Sequence, residues 1–248
     1  MIQSNGKQRA FVFGASGDIG QAICQQLAAS GWSLILHGFQ HTDVLATACQ
    51  QLSQQYPQQD FQYFSADLMD PNFLKPNLLS QFGDYQALVF AQGTTDYQLF
   101  STTTVQQQQK LFQLHLFSPL TLIRAAESHL LAQDHARIVF IGSIYGAVGS
   151  AMEVLYSAVK GAQTSFANAY AREVAGSGLT VNVVAPGAVN TQMNADFSEN
   201  ELAALKAEIP LGRLAQPQEI AVWVAHLVAA DADYLTGQTL YVDGGWLK

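Results

Sequence analysis

Tyr156 and Lys160 stand four residues apart in a segment with helical patterning, so both side chains fall on one helix face. Ser143, thirteen residues before the tyrosine, ends the apolar run Arg137-Ile138-Val139-Phe140-Ile141-Gly142, which reads as a buried parallel strand. A hydroxyl at the carboxyl end of a strand then faces a phenol and an ammonium on the next helix. This trio suits delivery of a proton to a carbonyl oxygen. A free phenol titrates at about pH 10, and a lysine one turn away favours the phenolate and lowers that value. The serine hydroxyl can hold the acceptor oxygen beside the phenol. A tyrosine and a lysine at this spacing usually share no more than a surface. Ser143 and a glycine-rich loop near the start of the chain set this pair apart.

That loop follows the short apolar run Ala10-Phe11-Val12-Phe13 and reads Gly14-Ala15-Ser16-Gly17-Asp18-Ile19-Gly20, with a helical pattern from 19 to 30. Strand, glycine turn and helix form the arrangement that cradles a dinucleotide pyrophosphate. Gly14 permits the tight turn, Gly17 lets the pyrophosphate approach the backbone, and Gly20 lets helix and strand pack closely. A second strand over 32–36 should end near the ribose, where an acid would select NAD and a base would favour NADP. The chain reads His37-Gly38-Phe39-Gln40-His41 there. His37 and His41 either meet a 2′-phosphate or are ordinary loop residues, and the missing acid favours NADPH over NADH. Asp67, after a strand over 61–65, either binds an adenine amino group or opens a helix. Thr191, closing Pro186-Gly187-Ala188-Val189-Asn190-Thr191, either caps the next helix or holds a cofactor group.

The elements that must position these residues alternate along the whole chain. Strands at 10–13, 32–36, 61–65, 85–91, 137–142, 179–185 and 239–242 are separated by helical patterns. The expected fold is α/β: one Rossmann-type domain over 1–248, with a doubly wound, mostly parallel, seven-stranded sheet. One long helix is expected over 105–131, with His115 in its middle, where a histidine is ordinarily structural. A more polar helical segment over 194–210 interrupts the rhythm after a strand's carboxyl end, which places a substrate lid at about 190–212.

With 49% hydrophobic and 12% charged residues, the chain can build a large core and disorder is disfavoured. The net charge of −8, with 11 scattered Lys and Arg, argues against a nucleic-acid partner. No apolar run of membrane-spanning length and no signal-type start is present, so a soluble, cytoplasmic protein without a membrane partner is expected. Cys24 and Cys49 lack metal-ligand spacing, and no metal is expected.

Taken together, these residues resemble the short-chain dehydrogenase/reductase family over nearly the whole chain. Pro210-Leu211-Gly212-Arg213, Thr236-Gly237-Gln238 and Val242-Asp243-Gly244-Gly245 are similar to its 3-oxoacyl-acyl-carrier-protein reductase branch. The resemblance implies that NAD(P)H reduces a ketone, with Tyr156 as proton donor, Ser143 orienting the oxygen, and Lys160 holding the nicotinamide ribose. Cofactor contacts are implied for Gly14, Ser16, Gly17, Asp18, Ile19 and Gly20, and for His37, Asp67 and Leu68. Ala91, Gln92 and Gly93, then Pro186, Gly187, Val189 and Thr191, complete the implied set beside Tyr156 and Lys160. His115 stands where the family has an asparagine that supports the lysine through water, which implies a catalytic place for it with an altered proton relay. Phe90-Ala91-Gln92-Gly93 replaces Asn-Asn-Ala-Gly, removing amides that the family uses structurally. A homotetramer (or dimer) is implied as well.

Three functions compete. The first is reduction of a small-molecule or carrier-bound ketone of the 3-oxoacyl type. The second is suggested by Glu153-Val154-Leu155-Tyr156-Ser157, which resembles a sub-branch some of whose members reduce a 5-aminopentanone modification on elongation factor P. Glu153 there either attracts a substrate amine or complements a helix dipole. The third, of another class, is a non-catalytic dinucleotide sensor or subunit. Such a protein would be expected to have lost Tyr156 or Lys160.

Overall fold

In the computed structural model, which describes residues 8–192 and 197–247, the central strands are apolar runs buried on both faces. Strand β1 (Arg9–Phe13) leads through the glycine loop to α1 (Asp18–Ala29), then β2 (Ser33–Gly38), α2 (Thr42–Gln55) and β3 (Phe61–Ser65). Strand β4 (Ala87–Phe90) precedes α3 (Val105–Phe112), a π-helical turn (Gln113–Phe117) and α4 (Ser118–Leu130). Then come β5 (Arg137–Ile141), the short α5 (Tyr145–Val148), α6 (Val154–Val174) and β6 (Thr180–Pro186). Helices α7 (Glu199–Glu208) and α8 (Pro217–Val228) and strand β7 (Thr239–Val242) close the order.

The seven strands lie in the order β3-β2-β1-β4-β5-β6-β7, and every neighbouring pair is parallel. The chain therefore leaves β1 in opposite directions, toward β2 and toward β4. Phe13 is in register with His37 on one side and Phe90 on the other, so the carboxyl ends align around a switch-point crevice.

Alternation along the strands sorts side chains between two core layers. Ala10, Val12, Leu34, Leu36 and Val89 pack with Ile23 and Leu27 of α1 and Ile220 and Val224 of α8. On the other face, Phe11, Phe13, Phe90 and Phe140 pack with Leu122 and Ile123 of α4 and Ala167 and Tyr170 of α6. The rings of Phe13 and Phe90, and of Phe90 and Phe140, stack with centroids 5.0 Å apart. Each such ring contributes about 2–3 kcal/mol through burial, so this aromatic layer anchors β1, β4 and β5, three of the four strands whose ends carry the site.

Two elements differ from expectation. Strand β2 runs to Gly38, because the His37 ring fits between Phe13 and Phe64 at centroid distances of 5.4 and 5.0 Å. The helix expected over 105–131 is broken by the π turn, in which His115 is fully buried. No described helix is long and apolar enough to cross a membrane. Both cysteines are free and buried.

Candidate active site

At the carboxyl ends of β1, β4, β5 and β6 lies a crevice of about 660 Å³. Its floor is the turn after β1. Gly14 has φ +80°, and a Cβ there would stand 2.4 Å from the Gln92 nitrogen; a Cβ on Gly20 would stand 2.1 Å from the Gly14 oxygen. These two glycines allow close packing of backbone on backbone, and neither lines the crevice. Ser16, Gly17, Asp18 and Ile19 do line it. Gly17 is the N-cap of α1 and offers no side-chain cap, so the first amides of that helix are open to an anion. A Cβ on Gly17 would meet only the Gly14 oxygen, 3.7 Å away. This open glycine cradle fits a dinucleotide pyrophosphate. The Asp18 carboxylate is held aside by the Gln192 N–H, which donates to its Oδ2 at 2.7 Å.

Ser143 follows β5, while Tyr156 and Lys160 rise from the first turns of α6, and all three face the crevice. The Ser143 Oγ accepts the Tyr145 N–H at 3.2 Å. Lys160 is buried and donates from Nζ to the Ile141 carbonyl at 2.7 Å, with Nζ 5.4 Å from the Tyr156 ring centroid. Burial pushes its pKa down to about 7. The Tyr156 phenol is pushed up, first by burial and then by the Glu153 carboxylate, while a hydrogen bond with Ser143 acts the other way. The phenol expected to be lowered by Lys160 is instead raised. The phenol keeps its proton through the neutral range, the state that a proton donor needs.

The buried lysine has a consequence for stability. In the folded protein it titrates near 7 rather than at its ordinary 10.5, so between these values the unfolded chain binds more protons and stability rises with pH. Below about 7 both states are charged and the burial cost is fully present. Lys160→Met is expected to be more stable than the wild type at pH 6, with the gap closing as pH rises through about 9. Urea midpoints of the two proteins across this range check it.

The remaining expected residues divide by position. Ala91, Gln92 and Gly93 form one wall, and Pro186, Gly187, Val189 and Thr191 another. His37 does not reach the crevice. Its Nε2–H donates to the Ala66 carbonyl at 3.0 Å and its Nδ1 accepts the Gly14 N–H at 3.4 Å, so it braces the glycine loop from below. Burial lowers its pKa to about 4 and keeps it neutral, which removes it as a 2′-phosphate partner. Asp67 and Leu68 are also off the crevice wall: Asp67 Oδ1 accepts the Met69 N–H at 2.9 Å in a turn, and Leu68 is core.

His115 is likewise withdrawn. It lies behind Gly93, edge-on to the Tyr156 ring at 5.6 Å, and its Nε2–H donates to the Thr94 carbonyl at 2.8 Å. Burial, then the nearby Lys160, lowers its pKa to about 3, so it is a neutral support and not a group that touches a reactant. Within 90–93 the one side-chain amide is that of Gln92, whose Nε2 donates to the Leu114 carbonyl at 3.3 Å.

Within the lid expected over 190–212, residues 193–196 lie outside the described residues. Phe197, with Leu205 and Glu208 of α7, faces the crevice. Tyr97, Tyr145 and Trp246 also line it, the last two rings 6.1 Å apart, and Thr95 holds Glu153 Oε1 at 2.7 Å. The lid expected in the sequence thus brings Phe197, Leu205 and Glu208 to the crevice, whereas Thr95, Tyr97, Tyr145 and Trp246 were not singled out. Those four come from the loop after β4, the first residue of α5 and the C-terminal segment, where no periodicity marks them.

Comparison with known proteins agrees with this geometry. The family described as Enoyl-(Acyl carrier protein) reductase matches residues 14–247. The uncharacterized oxidoreductase YmfI of Bacillus subtilis is 39% identical, covering 96% of this chain and 98% of that protein. The 3-oxoacyl-[acyl-carrier-protein] reductase FabG of Escherichia coli is 34% identical over 95% of this chain and 96% of its own. Among solved structures, a blue fluorescent protein from a metagenomic library, in complex with NADPH, superposes with a TM-score of 0.90 at 30% identity, over 99% of this chain and all of that one. A crevice at the switch point, an open glycine cradle and the Ser143–Tyr156–Lys160 group thus coincide with matches over almost the full length, and the chain belongs to the short-chain dehydrogenase/reductase family of oxidoreductases.

Proposed function

We propose that this oxidoreductase reduces a ketone to a secondary alcohol with NADPH, in the manner of a 3-oxoacyl reductase. The observation that carries this is the convergence of Ser143, Tyr156 and Lys160 on a crevice that begins at an open glycine cradle. A bound nicotinamide dinucleotide supplies the hydride. Ser143 accepts the ketone into place by donating its hydroxyl to the oxygen, and Tyr156 gives that oxygen its proton. Lys160, fixed on the Ile141 carbonyl, stands beside the phenol, where its protonated form sets a positive charge, and is placed to hold the nicotinamide ribose. Gly17 and the first amides of α1 hold the pyrophosphate, while Pro186, Gly187, Val189 and Thr191 wall the nicotinamide end.

NADPH is favoured over NADH because no carboxylate from the β2–α2 corner lines the crevice, where His41 and Val44 stand. A cytoplasmic setting and a homotetramer (or dimer) extend the same reading; exposed Val222 and Trp223 on α8 and Tyr241 on the edge strand β7 suit assembly. The test is oxidation of NADPH and of NADH with an acetoacetyl thioester. Turnover with NADPH, and slower turnover with NADH, is expected. Tight NADPH binding without turnover on any ketone would favour the sensor.

A second reading rests on the charge of the substrate end. Glu153 and Glu208 line the crevice away from the glycine cradle, and Lys160 is the lone Lys or Arg among its described lining residues. Such a wall suits a ketone bearing an amine, as on a modified elongation factor P, better than an acidic carrier protein. Glu153→Gln is expected to lower kcat/KM about tenfold for an amine-bearing ketone, equivalent to about 1.4 kcal/mol. It should leave a neutral acyl thioester within about twofold. Equal effects on both substrates in parallel assays would remove Glu153 from amine recognition.

A further inference from the structure

The π turn is held by carboxamides that arrive from different elements. A π turn breaks the helical ladder and leaves carbonyls that need donors. Gln92, after β4, donates from Nε2 to Leu114 O at 3.3 Å, and Gln163, on α6, donates from Nε2 to His115 O at 2.6 Å. From the turn, His115 Nε2–H reaches Thr94 O at 2.8 Å, and the Thr95 hydroxyl next to it reaches Glu153 Oε1 at 2.7 Å. Glu153 is the N-cap of α6. The run of bonds therefore leaves α6 at Gln163 and returns to it at Glu153. Residues 153, 156, 160 and 163 share one helix face, so the run encloses Tyr156 and Lys160.

The polarity here is costly. Gln163 is 1% exposed, and its Oε1, together with Gln92 Oε1 and His115 Nδ1, is buried without a hydrogen-bond partner. Each such atom costs about 1–3 kcal/mol. An apolar side chain of similar volume at 163 would fill the same space without that cost, but it would free the His115 carbonyl. The arrangement makes sense as a device for holding geometry.

We propose that Gln163 is a positioning residue: through the His115 carbonyl it fixes the π turn and the Thr94–Thr95 corner, and so holds Glu153, Tyr156 and Lys160 in one arrangement at the crevice. The catalytic half of this proposal rests on the ketone-reductase reading; the structural half does not.

The test compares the full-length wild type with Gln163→Met, by amide hydrogen exchange, thermal midpoint and steady-state kinetics. Exchange over residues 94–99 and 113–117 is expected to be about tenfold faster in the variant, with the rest of α6 unchanged. The value of kcat should fall about tenfold or more, with KM for NADPH and ketone within about twofold. Unchanged exchange at 94–99 would overturn the proposal, whatever the wild type turns over. Faster exchange spread evenly over the whole chain, or a loosened corner with unchanged kcat, would overturn it too. A wild type inactive on every ketone would instead count against the ketone-reductase reading, and the exchange result would still decide whether Gln163 holds the corner. Should Gln163→Met fail to fold, Gln163→Leu carries the same comparison, since its side chain cannot donate to His115 O.

Discussion

Tyr156→Phe is expected to lower kcat by about 10²–10⁴-fold, the usual worth of a positioned proton donor, while leaving NADPH affinity within about twofold. The substitution removes a single oxygen. The ring remains to meet His115 edge-on at 5.6 Å and to lie beside the Lys160 Nζ, so the walls of the crevice are unchanged. What is lost is a phenol that burial and Glu153 keep protonated. The variant's ketone oxygen could still accept from Ser143, but would have to find its proton elsewhere. Steady-state kinetics with a fluorescence titration of NADPH separates the two effects. Parallel loss of turnover and of cofactor binding would point to a disturbed crevice instead of a lost proton.

Gly20→Val should be the most damaging single change in the cofactor loop. A Cβ at this position would lie 2.1 Å from Gly14 O, 2.8 Å from Gly14 C and 2.9 Å from Ala15 Cα, all backbone atoms with no rotamer to escape into. Helix α1 would have to move off the β1 turn, breaking the packing of Ile23 and Leu27 into the core. Overpacking alone costs about 1–3 kcal/mol, and displaced backbone adds to it, so failure to fold or a large drop in urea midpoint is expected. Gly17→Ala makes the contrast. Its methyl faces the open crevice, so the protein should keep its stability and lose NADPH affinity about tenfold or more. Urea denaturation and cofactor titration of both variants would show the division; a stable Gly20→Val protein that binds NADPH would contradict it.

The parallel sheet was legible because β1, β4, β5 and β6 are short, buried apolar runs, and the glycine loop marks one end of the crevice. The spacing of Tyr156 and Lys160 was legible because helical periodicity is local. What escaped depends on distant partners. Nothing in residues 105–131 signals a π turn, since the carboxamides that stabilise it sit at 92 and 163. His37 looked like a loop histidine because the rings of Phe13 and Phe64 that enclose it come from two other strands. The sign of the Tyr156 shift was misread for a similar reason. Lysine spacing is visible along a helix, whereas burial and the placement of the Glu153 carboxylate, fixed by Thr95, are properties of the folded site. Glu208 and Trp246 reach the crevice from α7 and the C-terminal segment, a convergence that only the fold creates.

The most direct test of the central claim is transfer of label from NADPH carrying deuterium on the nicotinamide carbon that donates hydride. The wild type is expected to place one deuterium on the carbinol carbon of the alcohol formed from an acetoacetyl thioester or an amine-bearing ketone, and Tyr156→Phe to place almost none in the same time. Cofactor bound in the crevice with no deuterium in any product, across both kinds of ketone, would contradict the assignment of this site to ketone reduction.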